Sequence, residues 1–149
     1  AVAVKLSPVE GIEVHVVGGR LLPRQAGLFG DETCRAVAGR HIDLAIMGCE
    51  GLDARGTWNS QKDVVRVQRA VIAVADKRCF ALDASKLGKR APVHLCPWEE
   101  VELLVTDASA AQLRSAGIDL TPDRVRHVKV GNEDISYANE VVSRRRKHS

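Results

Sequence analysis

Aromatic residues make up only 3% of this 149-residue chain: two Phe, two Trp and one Tyr. That scarcity excludes a surface of stacking platforms for single-stranded nucleic acid. Long apolar runs are missing too, because Arg, Lys, Asp or Glu interrupts every stretch short of the roughly eighteen residues a membrane-spanning helix needs. No secretory signal is visible, and no membrane association is expected. The cysteines, Cys34, Cys49, Cys79 and Cys96, form no Cys-x-x-Cys pair and have no histidine at zinc spacing, so no metal site is expected. Cys49 and Cys79 fall in or beside apolar strands and read as reduced core thiols of a cytoplasmic protein. Neither a Walker loop nor Gly-x-Gly-x-x-Gly is present, so no nucleotide cofactor is expected. Methionine occurs once, as Met47 inside a predicted strand, and Ala1 to Leu6 enter without a cap or a polar arm. The expectation is a cut through a larger domain.

What is present begins with a hydrophobic content of 45%, enough for one domain with a sizeable core, placed at residues 1–140. Net charge is +3, but Arg144, Arg145, Arg146 and Lys147 supply four positives, and without them 18 basic residues face 19 acidic ones. The basic character therefore belongs to a tail, residues 141–149, expected to be disordered, and not to a face that holds DNA.

Periodicity predicts alternating strands and helices. The β-branched run Ile12 to Val17 reads as a strand closing on Gly18-Gly19, followed by irregular backbone around Pro23, Gly27 and Gly30. Asp31 is placed to cap a short helix through Ala38, with Gly39 as its stop. Ile42 to Met47, apolar except for Asp43, predicts an interior strand buried on both faces. Lys62 to Ala75 has helical spacing of Val64, Val65, Val67, Val71 and Ile72. Short strands follow at Phe80 to Leu82, Val93 to Leu95 and Leu103 to Val105, then a helix from Ala108 to Ala116 stopped by Gly117, and a last strand from Val125 to Val130. This order selects a parallel-sheet α/β architecture.

Ligands in open α/β sheets bind beyond the carboxyl ends of strands, and two polar turns fall there. Gly48-Cys49-Glu50-Gly51-Leu52-Asp53 brackets acids with glycines, so Glu50 and Asp53 are candidates to meet sugar hydroxyls, although Asp53 to Gly56 equally suits a plain β-turn. Lys86, three residues beyond Asp83 in a loop ended by Gly88, can attract a phosphate or carboxylate, or pair with Asp83. Gly18-Gly19 permits anion approach or a tight turn. Nucleophilic catalysis has little support: no serine sits in Gly-x-Ser-x-Gly, and His15, His41, His94 and His127 are scattered. No catalytic residue is assigned.

In order and spacing these segments resemble the C-terminal effector-sensing domain of the DeoR/GlpR transcriptional regulators, over nearly the whole chain. Val16 to Leu21 looks like the family's strand and Gly-Gly turn, and Gly27 to Gly30 like its next Gly-rich segment. Asp43 to Asp53 matches its Asp-x-x-x-x-Gly-x-x-Gly-x-Asp block. Arg69 to Ile72 is similar to its Lys-Arg-Ala-Met-Ile helix, Leu82 to Gly88 to its Ala-Asp-Ser-Ser-Lys-Phe-Gly segment, and Leu104 to Asp107 to its Ile-Thr-Asp strand end. The resemblance implies a three-layer Rossmann-like, mostly parallel sheet of the sugar-phosphate isomerase-like kind. It also implies a phosphorylated sugar or related metabolite as effector, homo-oligomers, and DNA contact only through an N-terminal helix-turn-helix not contained in the chain. Gly18, Gly19, Gly48, Glu50, Gly51, Asp53 and Lys86 are the expected ligand-binding residues.

Two departures accompany the match. Where the family usually has a Glu and, four residues on, a Lys in one helix, this chain has Val64 and Gln68, and the family's Gly-Thr-Thr phosphate loop would lie upstream of Ala1. Poor or absent phosphate binding, a bare sheet edge, and marginal stability or self-association are therefore expected. An isomerase or lyase with Glu50 or Asp53 as proton carrier and Lys86 as phosphate anchor is one alternative. A module with a decayed pocket is the other.

Overall fold

In a computed structural model of the chain, residues 2–22 and 27–129 are described. The tail and the last predicted strand residue, Val130, lie outside them. The elements run α1 (Val2–Leu6), β1 (Arg20–Leu21), β2 (Leu28–Phe29), α2 (Asp31–Ala38), β3 (Ile42–Met47), β4 (Gly51–Asp53), β5 (Gly56–Asn59) and α3 (Lys62–Val74). They continue β6 (Ala75–Ala81), β7 (Val93–Cys96), β8 (Leu103–Thr106), α4 (Ala110–Ser115) and β9 (Val125–His127). The frame is a parallel sheet of order β3-β6-β8-β9, accompanied by an antiparallel sheet β4-β5-β7 and the small β1-β2 ladder. This is an α/β Rossmann-like fold.

Each step through the parallel sheet moves one strand in the same direction, and right-handed crossovers then place every connection on one face. The core sits there. Met47, Phe80 and Leu104 are aligned across three strands by register and pack with Val65 of α3, Trp98, Leu113 of α4 and Ile118. Phe80 and Leu104 are fully buried. At the end of α3, the chain turns directly into β6 at Ala75, so the helix closes against the strand it feeds.

Three expectations need correction. Ile12 to Val17 forms no strand: its β-branched residues suit a pleated surface, but among the described residues nothing pairs with them. Ile42 to Met47 is a strand with the expected bounds, but not an interior one, because β6 is its one described neighbour and alternate side chains face outward, Leu44 49% and Ile46 68% exposed. Val93 to Cys96 joins the antiparallel sheet, beside β5, and not the parallel one. Two smaller shifts follow from local chemistry. The strand expected from Phe80 starts at Ala75, its first half hidden in the sequence by Asp76, Lys77 and Arg78. The residue capping α2 is Gly30, with Asp31 inside the first turn and ion-paired to Arg66 of α3.

Candidate functional site

The carboxyl ends of β3, β6 and β8 run into Gly48-Cys49-Glu50, Leu82 to Lys86 and Asp107. Two hydrogen bonds set the β6 and β8 turns against each other: the Asp107 carboxylate accepts from the Ala84 amide at 2.6 Å, and the Leu82 amide donates to the Val105 carbonyl at 2.9 Å. Asp83 caps the short 3-10 turn Ala84–Lys86 by accepting from the Ser85 amide at 2.9 Å. Contacts with Ser85 hold its carboxyl below the usual range against the opposing effect of burial, and the nearby Lys86 charge adds to them.

After β3 the chain enters the β4-β5 hairpin, and Gly51 explains how that hairpin sits. A Cβ there would overlap the Lys89 carbonyl, while the Gly88 amide donates to the Leu52 carbonyl at 2.8 Å and Leu52 bridges Leu87. The hairpin is thereby docked on the loop that carries Lys86. Its own turn is fastened inside: Asp53, only 6% exposed, accepts from the Trp58 indole at 2.8 Å, from the Arg55 amide at 2.9 Å and from Arg90. Its carbonyl receives the Trp98 indole at 2.7 Å. The carboxylate of Asp53 is taken up within the protein.

Glu50 and Lys86 differ from it. Among the described residues neither side chain has a hydrogen bond or ion pair, Lys86 included, which does not reach Asp83 within salt-bridge distance. Both charges act on Cys49, the residue before Glu50 in its turn, which donates its thiol to the Gly51 carbonyl at 3.0 Å. Burial pushes that thiol up to about 11, with Lys86 opposing and Glu50 adding to the rise. The structure thus brings an acid and an ammonium, neither paired among the described residues, to one edge of the sheet.

Gly18 and Gly19 stand apart from this pair. The Gly18 carbonyl accepts from the Thr33 hydroxyl of α2 at 2.8 Å, and at Gly19, φ +137°, a Cβ would overlap Thr33. Close approach to a helix accounts for both glycines. Residues that the spacing did not single out complete the edge. Gln68 of α3 donates to the Gly48 carbonyl at 2.6 Å and accepts from the Asn59 amide group at 2.9 Å, so the position where the family usually has Lys carries a neutral clamp on the turn. Asp107 stands out in the sequence only as the end of the Leu104 to Asp107 segment, and Asn59 gives no sequence signal, since no strand is expected at Gly56–Asn59. At the opposite rim of the sheet His41 lies 3.4 Å from Asp43 and 3.3 Å from Asp76, all three exposed.

A parallel α/β sheet with charged, glycine-bracketed turns at its carboxyl edge defines a domain built to hold a small molecule. Residues 1–108 match the DeoR C terminal sensor domain, and the chain belongs to that family. It is similar to the HTH-type transcriptional repressor GlcR of Bacillus subtilis, 30% identical over 102 residues, 68% of this chain and 40% of that protein. It is also 30% identical to the Glycerol-3-phosphate regulon repressor of Escherichia coli over 108 residues, 72% of this chain and 43% of that protein. The HTH-type transcriptional regulator GlpR of Haloferax volcanii matches at 30% over 115 residues, 73% and 45%. The chain spans less than half the length of these relatives. Their names describe regulators and not enzymes. No described helix is long and apolar enough to cross a membrane.

Proposed function

We propose that this domain senses a phosphorylated sugar or polyol on behalf of a cytoplasmic, homo-oligomeric, DNA-binding transcriptional regulator, and catalyses no reaction. The observation that carries the reading is the pair of charges at the carboxyl edge, Glu50 and Lys86, that have no ion-pair partner among the described residues. An ammonium suits a phosphate, and a carboxylate bracketed by Gly48 and Gly51 suits the hydroxyls of the same ligand. The Escherichia coli relative named for a glycerol-3-phosphate regulon supports a phosphorylated three-carbon or sugar compound as the first ligand to try. DNA contact falls to a helix-turn-helix elsewhere in the regulator.

A thermal-shift screen of the chain against glycerol 3-phosphate and hexose and pentose phosphates tests the reading. At millimolar ligand, high enough to offset weak phosphate binding, stabilisation by one compound, lost in Glu50→Gln and in Lys86→Ala, is the expected result. Turnover of ribose 5-phosphate or glucosamine 6-phosphate would overturn it in favour of an enzyme, and no shift with any compound would sink the sensing role.

A further inference from the structure

The rim of the parallel sheet opposite the effector turns holds a cluster that the proposed function does not use. β3 and β6 pair in parallel with Ile42 beside Ala75 and Leu44 beside Lys77, which sets Asp43 beside Asp76. Strand alternation points these two side chains to the same face. Like charges in directly opposed positions weaken a strand pair unless an opposite charge answers them. Lys77 alternates to the other face. Arg78, one step further along β6, is committed elsewhere: its Nη2 donates to Glu102 at 2.9 Å, its Nε to the Glu100 carbonyl at 2.6 Å and its Nη1 to the Ala75 carbonyl at 3.3 Å.

What faces the two acids is His41, at the entry to β3. Its Nε2 lies 3.4 Å from Asp43 Oδ1 and 3.3 Å from Asp76 Oδ2. Neither contact has hydrogen-bond geometry, and among the described residues none of the three side chains makes a hydrogen bond. Both separations exceed the length of a good N–H···O bond, about 2.7–3.2 Å. They match a coordination edge instead: two donors each about 2.0–2.1 Å from a tetrahedral zinc stand roughly 3.3–3.4 Å apart. Among the described residues this is the one group of three or more His, Cys, Asp or Glu whose donor atoms all lie within 4.8 Å of one another.

We propose that His41, Asp43 and Asp76 form a site for a divalent transition metal of the zinc type, which ties the amino ends of β3 and β6 together. One imidazole nitrogen and two carboxylate oxygens are a donor set that zinc accepts. All three side chains are exposed, so water takes the fourth position. The carboxylates balance the charge of the ion, and the ion removes their mutual repulsion. The cysteine spacing that argued against a metal could not reveal this set, because Asp76 reaches His41 only through the β3-β6 pairing. The three ligands need that pairing alone, whatever lies along the other edge of β3, and the site does not rest on the sensing reading. With no described partner to hold the other imidazole nitrogen, affinity in the micromolar range is expected.

Equilibrium dialysis of the full chain, stripped with chelator and kept reduced, against micromolar zinc tests the site beside Asp76→Asn and His41→Gln. The wild type should bind one ion per chain and melt higher when zinc is added; each variant should lose that ion and the rise. The competing ligands are the four free thiols and His15, which lies 2.8 Å from Glu13. Glu13→Gln should therefore keep the response, and cobalt(II) bound in place of zinc should show no thiolate-to-metal band. Freed of metal, Asp76→Asn should melt no lower than the wild type, since a like-charged neighbour is gone; should it melt lower, His41→Gln, changed outside the strands, carries the test. Absence of zinc binding, equal binding by wild type and His41→Gln, or a thiolate band with cobalt would each overturn the site.

Discussion

The Trp58 indole donates to the carboxylate of Asp53 at 2.8 Å, from the neighbouring strand of the same hairpin, and the guanidinium groups of Arg55 and Arg90 lie 5.3 and 5.7 Å from the Trp58 ring. Asp53 therefore serves as the fastening of the β4-β5 turn. Asp53→Ala would leave a buried indole N–H and the Arg90 guanidinium without their acceptor, at a cost of about 2–4 kcal/mol. Trp58→Phe removes one donor and leaves the others, about 1–2 kcal/mol from the hydrogen bond. Urea melts of the two variants should show this order; equal melts for Asp53→Ala and wild type would show that the fastening contributes nothing.

The same carboxylate makes stability depend on pH. Burial works to raise the pKa of Asp53, but the bonds from Trp58, Arg90 and the Arg55 amide outweigh it and the pKa falls below the usual range. Glu102 behaves alike, burial being outweighed by bonds from the amide and the guanidinium of Arg78, the latter at 2.9 Å. A folded value below the unfolded one means that the unfolded chain binds more protons in the acid range. The stabilisation is then complete above about pH 5 and is lost as pH falls through the folded values. Melts from pH 6 to pH 3 should show a steep loss in the wild type and a shallower one in Asp53→Asn.

How much of this was legible depended on whether neighbours matter. β3 and α3 came out with nearly the expected bounds because their signals are local: an apolar run between glycines for one, helical spacing of valines for the other. The status of β3 as an edge was not legible, since the side-chain pattern of a strand says nothing about which strand lies beside it. The Ile12–Val17 run failed for the same reason, its composition being right and its partner absent from the described residues. At the site, glycine and charge spacing led to Glu50 and Lys86, which have no described partners. The same reasoning put Asp53 in the ligand set because nothing local reveals that Arg90, 37 residues on, reaches it.

The thiols provide a chemical check on burial. Burial pushes Cys96 up to about 12, with the Glu100 charge adding, and Cys49 up to about 11. Cys79 is raised by burial as well. Few thiolates exist at these positions at pH 8, and Cys79 and Cys96 are also closed to reagent. Iodoacetamide on the folded chain at pH 8 should label the half-buried Cys34 of α2 first, with the other three reacting only after urea is added. Early labelling of Cys96 would contradict the packing of β7.

Gln68 holds the Gly48 carbonyl from α3 and is held in turn by Asn59, so three elements meet in one side-chain amide. Gln68→Ala should cost about 1–2 kcal/mol and speed hydrogen exchange in the turn that presents Glu50. Gln68→Lys restores the family's usual charge beside the Gly48 turn that presents Glu50. If the neutral clamp is what weakens anion binding, the lysine variant should show a larger thermal response to phosphorylated ligands than the wild type, and no gain would place the weakness elsewhere.

The glycines of the first turn separate structure from ligand approach. Gly51 faces the Lys89 carbonyl, a backbone group that cannot swing aside, so Gly51→Ala should cost about 1–3 kcal/mol or more through overlap. At Gly48 a Cβ meets nothing within 4 Å and the backbone angle is ordinary, so Gly48→Ala should leave the melting curve within about 0.5 kcal/mol of wild type. That open space adjoins Glu50, where the ligand is proposed to come against the backbone. Gly48→Ala should accordingly keep the fold and lose the thermal response to the phosphorylated ligand. Should it keep both, the effector does not approach the turn at Gly48, and the contact with Glu50 has to be made from the side of the Lys86 loop.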